Sequence, residues 1–148
     1  MRLVIQRVSS AACTVDDVVT GKIEKGYMIL VGLTEGDTID EVKLLVKKTI
    51  GLRVFSDENG KMNKSIIDVG GSILAISQFT LYADCKNGNR PSFTSAMKYT
   101  EASKYYDIYC DMIKDTGIKV ERGVFGADMK ISLVNDGPVT IILDTKDL

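Results

Sequence analysis

The chain contains no histidine and no tryptophan, and its only prolines are Pro91 and Pro138. Without histidine there is no Ser-His-Asp or Cys-His machinery and no histidine general base. The usual catalytic zinc sets lose their commonest ligand as well. Any chemistry falls to hydroxyls, carboxylates, lysines, backbone groups or the substrate itself. Cysteine is scarce: Cys13, Cys85 and Cys110 are odd in number and irregularly spaced, which fits neither a disulfide framework nor a paired metal knuckle. They read as reduced thiols packing as small hydrophobes. Apolar runs such as Tyr27 to Val31 fall far short of the roughly 20 residues a bilayer span needs, and the N-terminus has no apolar signal core. A cytoplasmic protein with no membrane partner is expected.

Charge of one sign is also lacking. Nineteen Lys and Arg against 20 Asp and Glu leave a net charge of −1, with a pI near 5.5. Affinity for long nucleic acid comes mostly from neutralised phosphates, so a protein that grips such a polymer is disfavoured, while a small local contact with RNA is not.

What is present is the composition of a globular protein, 45% apolar and 26% charged over 148 residues. No repeat or linker interrupts it, so one domain spanning residues 1–148 is expected. Arg2 to Val8 alternates and is rich in β-branched residues, and Ala11 to Val15 and Val18 to Glu24 flank Asp16-Asp17 as a hairpin would. Tyr27 to Leu33 reads as a central strand. Thr38-Ile-Asp-Glu41 has capping-box spacing and is followed by Ile39, Val42, Leu45, Val46 and Ile50 at helical intervals until Gly51. Arg53 to Phe55 reads as a short strand, Asp57 to Gly60 as a turn, and Ser72 to Ser77 as another strand. Ala102, Tyr105, Tyr106, Tyr109 and Ile113 mark a second helix, whose tyrosines are assigned to the core rather than to a base-stacking platform. Met129 to Val134, Asn135 to Pro138 and Val139 to Leu143 read as strand, turn, strand. The expected fold is α/β: a small, barrel-like, antiparallel-rich sheet with two main helices packed against it.

Three segments carry candidate chemistry. Ser77-Gln78-Phe79-Thr80-Leu81 ends a strand, where side chains and amides can project into a cleft, although an ordinary strand exit has the same composition. Asn87-Gly-Asn-Arg-Pro-Ser-Phe93 joins Arg90, suited to a phosphate, with Pro91, Ser92 and Phe93; a solvated loop is the alternative. Gly137-Pro138 on composition alone defaults to a trans bond in a hairpin.

Together these residues resemble the D-aminoacyl-tRNA deacylase family, whose two signature motifs are similar to Ser77-Gln-Phe-Thr-Leu81 and Asn135-Asp-Gly-Pro-Val-Thr140 in order and separation. Val4-Ile-Gln-Arg-Val8, Leu52-Arg-Val-Phe55, Gly60-Lys-Met-Asn63 and Arg90-Pro-Ser-Phe93 extend the likeness over nearly the whole chain. The resemblance implies hydrolysis of the ester joining a D-amino acid, or mischarged glycine, to the 3′ end of tRNA. It implies a homodimer in which a cis Gly137-Pro138 reaches into the partner's pocket and bars L-residues by a clash, with Arg7 fixing that segment. Backbone amides near Phe79 and Thr80 would hold the oxyanion, Gln78 would orient substrate or water, and either Thr80 or the 2′-hydroxyl of the terminal adenosine would drive attack. Ser77, Arg90, Pro91, Ser92 and Phe93 complete the expected substrate site. No metal or organic cofactor is implied. Lys43, Lys47, Lys48, Lys61, Lys64 and Arg90 are candidate tRNA contacts. A nucleic-acid-binding module and a general small esterase are the competing classes.

Overall fold

The structure is a computed structural model that describes all 148 residues. Its spine is β1 (Arg2–Val15), longer than expected because the opening strand and the first arm of the hairpin run together. Asp16 and Asp17 both take positive φ, 48° and 63°, as a tight turn with right-handed strand twist requires. The chain returns as β2 (Val18–Ile23) and then as β3 (Gly26–Gly32). Along one edge β1 pairs first with β3 and then with β2, both antiparallel.

The capping box forms. Thr38 Oγ1 accepts from Asp40 N (3.2 Å) and Glu41 Oε2 accepts from Thr38 N (2.6 Å), opening α1 (Ile39–Gly51). Hydrogen bonds from the Thr38 hydroxyl and amide hold the Glu41 carboxyl below the usual carboxylate range. We expect Thr38→Ala to cost about 1 kcal/mol in urea denaturation. Because Glu41's folded pKa lies below its unfolded one, the carboxylate's share is present above roughly pH 4.3 and is lost as pH falls through the lowered value. A variant as stable as wild type at pH 7 would show the cap to be idle.

A small ribbon of β4 (Phe55–Ser56) and β5 (Met62–Lys64) follows, one or two residues later than expected. Then come β6 (Ser72–Ser77), α2 (Tyr99–Lys114), β7 (Val120–Arg122) and β8 (Lys130–Asp144). The main sheet runs β2-β1-β3-β6-β7, with β8 along the free side of β1. It is mixed, since β3–β6 and β6–β7 are parallel. It curls until Thr20 Oγ1 of β2 donates to the Arg122 carbonyl of β7 at 3.3 Å, which makes it barrel-like.

The two helices cover one face. Leu3, Ile5, Ile29, Ile73 and Ala75 pack there against Val42, Leu45, Tyr106 and Tyr109. The tyrosine stripe is core: Tyr109 shares a hydrogen bond with Thr49 (2.8 Å) and Tyr106 donates to the Ala75 carbonyl (2.7 Å), so each buried hydroxyl is satisfied. Burial pushes the Cys110 thiol up to about 12. Cys13 is buried as well, but Cys85 is exposed in a loop, which corrects the expectation that all three thiols pack. The reason is local: Cys85 has charged neighbours in Asp84 and Lys86 and no apolar face to join.

The end of the chain also differs from the sequence reading. Lys130–Asp144 is one strand paired to β1 along its length, with no hairpin. Asn135 faces Val8 and Thr140 faces Gln6, so 136–139 stand opposite Arg7 alone. The turn residues at 135–138 make a bulge in a continuous strand, because β1 supplies a partner on both sides of them. No helix is long and apolar enough to cross a membrane.

Candidate active site

Strand β6 is flanked by β3 and β7 and delivers Ser77 and Gln78 to the end of the sheet. The ladder reaches one residue further, through Gln78 N to the Val31 carbonyl at 2.8 Å, and Phe79–Tyr82 then forms a 3-10 turn. Its first helical bond runs from Leu81 N to the Gln78 carbonyl at 3.3 Å. The amides of Phe79 and Thr80 lie ahead of that bond and are left over by the turn.

Beside the turn lies a cleft of about 590 Å³ lined by Ser77, Gln78 and Phe79 on one side. Phe93 meets Phe79 edge-to-face at 5.0 Å, so the first and second candidate segments converge. The opposite wall was missed by sequence reading. Tyr99 packs edge-on to Phe125 at 4.9 Å and donates to its carbonyl at 3.2 Å, and Gly126, Ala127, Asp128 and Met129 continue the lining. The available signal was an aromatic-glycine pair, Phe125-Gly126, in a stretch without strand or helix pattern. Asp128 is the only acid lining the cleft, and it pairs with Lys130 at 2.9 Å in the open.

Thr80 is exposed and does not line the cleft. Its Oγ1 accepts from Gln78 Nε2 at 2.5 Å, and an amide N–H cannot take a proton from a hydroxyl. Arg90 and Pro91 are exposed, Arg90 without an ion pair, and Ser92 bridges backbone-to-backbone to Asp84 at 2.8 and 2.9 Å. Of that loop only Phe93 reaches the cleft. Lys64 pairs with Glu58 at 2.7 Å; neither it nor Lys43, Lys47, Lys48 and Lys61 lines the cleft.

Gly137-Pro138 is cis, which corrects the default trans reading from composition and agrees with what the resemblance implies. Gly137 sits at φ +137°, where an added Cβ would lie 2.8 Å from Val139 Cγ2 and 3.1 Å from Arg7 Nη2. Arg7 Nε donates to the Asp136 carbonyl (2.9 Å) and Nη1 to the Val54 carbonyl (2.6 Å). It thus ties the bulge to the backbone just ahead of β4. Asn135 Oδ1 closes the bulge by accepting from Val139 N at 2.9 Å. Gly137 and Pro138 do not line their own chain's cleft.

The chain is similar throughout to known proteins. Residues 4–144 match the family model described as D-Tyr-tRNA(Tyr) deacylase. A D-aminoacyl-tRNA deacylase of Clostridium novyi is 52% identical over 146 residues, covering 99% of this chain and 98% of that protein. One from Halothermothrix orenii is 52% identical over 145 residues, covering 98% and 97%. Among solved structures, a c-Myc DNA unwinding element binding protein superposes with a TM-score of 0.92 at 38% identity, covering 98% of this chain and 99% of that one. A probable eukaryotic D-amino acid tRNA deacylase shares the fold, with a TM-score of 0.83 at 16% identity over 96% and 97% of the two chains. With a family model spanning nearly all of its length and relatives at this identity, the chain belongs to the D-Tyr-tRNA(Tyr) deacylase family.

Proposed function

We propose that the chain hydrolyses the ester of D-aminoacyl-tRNA, and of glycine mischarged on tRNA, while sparing L-aminoacyl-tRNA. The observation that carries this reading is the aromatic-lined cleft beside a turn with two unused amides, in a chain of this family. The terminal adenosine stacks among the cleft aromatics, because an unpaired base presents a π-face to Phe and Tyr rings. The ester carbonyl then sits against the Phe79 and Thr80 amides, which hold the charge that develops on its oxygen. Gln78 orients substrate or water. Ser77 and Phe93 shape the pocket, while Arg90, Pro91 and Ser92 flank it toward the rest of the tRNA, with Arg90 on a phosphate. Thr80 has no neighbouring base, so the 2′-hydroxyl of the terminal adenosine assists the attack of water.

Handedness is set by a second copy of the chain. In this reading the 148-residue domain is a cytoplasmic homodimer, and Gly137-Pro138 of one protomer walls its partner's cleft. Two observations support the dimer. The wall segment lies outside its own cleft. Val4, paired to Leu30 on one side and to Ile142 on the other, starts an apolar row on the sheet face opposite the helices, and Ile142 is 65% exposed. An L-side chain points into the wall, a D-side chain points away, and glycine has none.

The test is single-turnover deacylation of D- and L-tyrosyl-tRNA by the purified protein. D-specific hydrolysis is expected, and equal rates on both enantiomers would sink the reading. Hydrolysis of simple esters with no preference for tRNA would favour a general esterase, and tRNA binding without turnover would favour a binding module. The net charge of −1 speaks against a module built to hold long nucleic acid.

A further inference from the structure

The turn that presents the Phe79 and Thr80 amides must be held still, because an oxyanion donor contributes only when it is aimed in advance. Its first peptide is anchored to β3 through Gln78 N and the Val31 carbonyl. Its back rests on Gly32, where a Cβ would stand 3.0 Å from Leu81 Cβ and 3.2 Å from the Gln78 carbonyl. At the far end of the turn the carbonyls accept from side chains. There the Tyr82 carbonyl accepts from Ser95 Oγ (3.0 Å) and the Leu81 carbonyl accepts from Arg2 Nη1 (2.5 Å). Arg2 also lies over the Tyr82 ring at 4.7 Å.

Arg2 is itself fixed. Its Nε and Nη2 both reach Asp144 Oδ2 at 2.7 Å, and the Asp144 side chain is only 7% exposed. The other carboxylate oxygen, Oδ1, accepts from Lys146 N at 3.2 Å. One planar guanidinium therefore binds a buried carboxylate on one edge, a turn carbonyl on another and an aromatic ring on its face. A guanidinium can do all three at once and an ammonium cannot. None of these groups lines the cleft.

The geometry points to Arg2, held by Asp144, as a positioning residue for hydrolysis: it clamps the end of the Phe79–Tyr82 turn so that the two leading amides stay aimed at the reacting carbonyl. Because peptide units are planar and the turn is a single 3-10 turn, fixing the Gln78 peptide at one end and the Leu81 and Tyr82 carbonyls at the other constrains the three peptides between them, two of which carry the Phe79 and Thr80 amides. The clamp acts on the transition state and not on the nucleoside pocket, so its loss belongs in kcat and not in KM. The inference rests on the proposed deacylase reaction with oxyanion donors in this turn.

The experiment measures kcat, KM and thermal midpoint on D-tyrosyl-tRNA for wild type, Arg2→Lys, Asp144→Asn and the helix-cap variant Thr38→Ala, whose side chain bonds only within the cap. Arg2→Lys keeps a cation beside Asp144 but loses the bond to Leu81 and the planar contact with Tyr82. Its kcat should fall about ten- to a hundredfold, with KM within about twofold. Asp144→Asn, which loosens the guanidinium without removing it, should give a smaller loss of the same kind. Thr38→Ala should keep its kcat, separating the effect from general destabilisation. An unchanged kcat in Arg2→Lys, or a fall matched by Thr38→Ala at equal loss of thermal midpoint, overturns the clamp while leaving the deacylase reading intact. A wild type that does not hydrolyse the substrate overturns both.

Discussion

D-tyrosyl-tRNA ending in 2′-deoxyadenosine should be deacylated roughly 10²–10⁴-fold more slowly than the ribose form, the range that a positioned acid–base group contributes. The expectation follows from what surrounds the cleft. There is no histidine in the chain, and the one carboxylate lining the cleft, Asp128, is exposed and paired with Lys130. The Thr80 hydroxyl touches only the Gln78 side-chain amide, which offers no lone pair for its proton. A water attacking the ester therefore lacks a protein base, and the nearest hydroxyl able to relay a proton is the one next to the ester on the substrate's own ribose. Thr80→Ala is the companion measurement and should retain near-normal turnover. If it is inactive while the deoxy substrate reacts normally, the roles are reversed and Thr80 carries the attack.

The second large effect concerns the origin of the chiral wall. Gly137→Ala places a Cβ 2.8 Å from Val139 Cγ2 and 3.1 Å from Arg7 Nη2, at a φ of +137°. An L-residue holds such a conformation only at a cost of order 1–3 kcal/mol, so the bulge shifts and its bond to Arg7 is disturbed. A homodimer of this variant should lose its discrimination and hydrolyse L- as well as D-tyrosyl-tRNA, whereas a variant disabled at the cleft, such as Gln78→Ala, should hydrolyse neither. When the two are co-expressed, half of the dimers are mixed, and in each mixed dimer one intact cleft faces one intact wall. Half of the clefts that still work should then reject L-tyrosyl-tRNA, provided that the interface is shared symmetrically between the copies. If wall and cleft act within one chain, co-expression restores nothing, and the exchange of Gly137-Pro138 between protomers is refuted.

The segments with local causes were legible before the structure. The α1 cap depends on Thr38 and Glu41, three residues apart. The α2 core stripe depends on a 3.6-residue period, and the hairpin at Asp16-Asp17 on two residues that tolerate positive φ. Ser77 to Leu81 reads in sequence as a strand end, and the structure gives it that position. The bulge at 136–139 reads in sequence as a hairpin turn because the same residue types serve both. What distinguishes them is whether β1 continues alongside, and that is a long-range fact. The wall at 125–129 was missed for a related reason: Phe125 and Gly126 become a site only when α2 brings Tyr99 against them.

Taken alone, the amino-acid sequence determined the reaction chemistry open to this protein and most of its local elements, because residue types, caps and short periodicities act within a few positions of themselves. It excluded histidine catalysis, and its motifs named the family. Only the tertiary structure decided which pieces meet: that Phe79 and Phe93 share a cleft with Tyr99 and Phe125, that Arg7 braces the bulge, and that Arg2 reaches the turn at Leu81. Those encounters join residues tens of positions apart. They depend on sheet order and curl, which the packing of the whole chain sets.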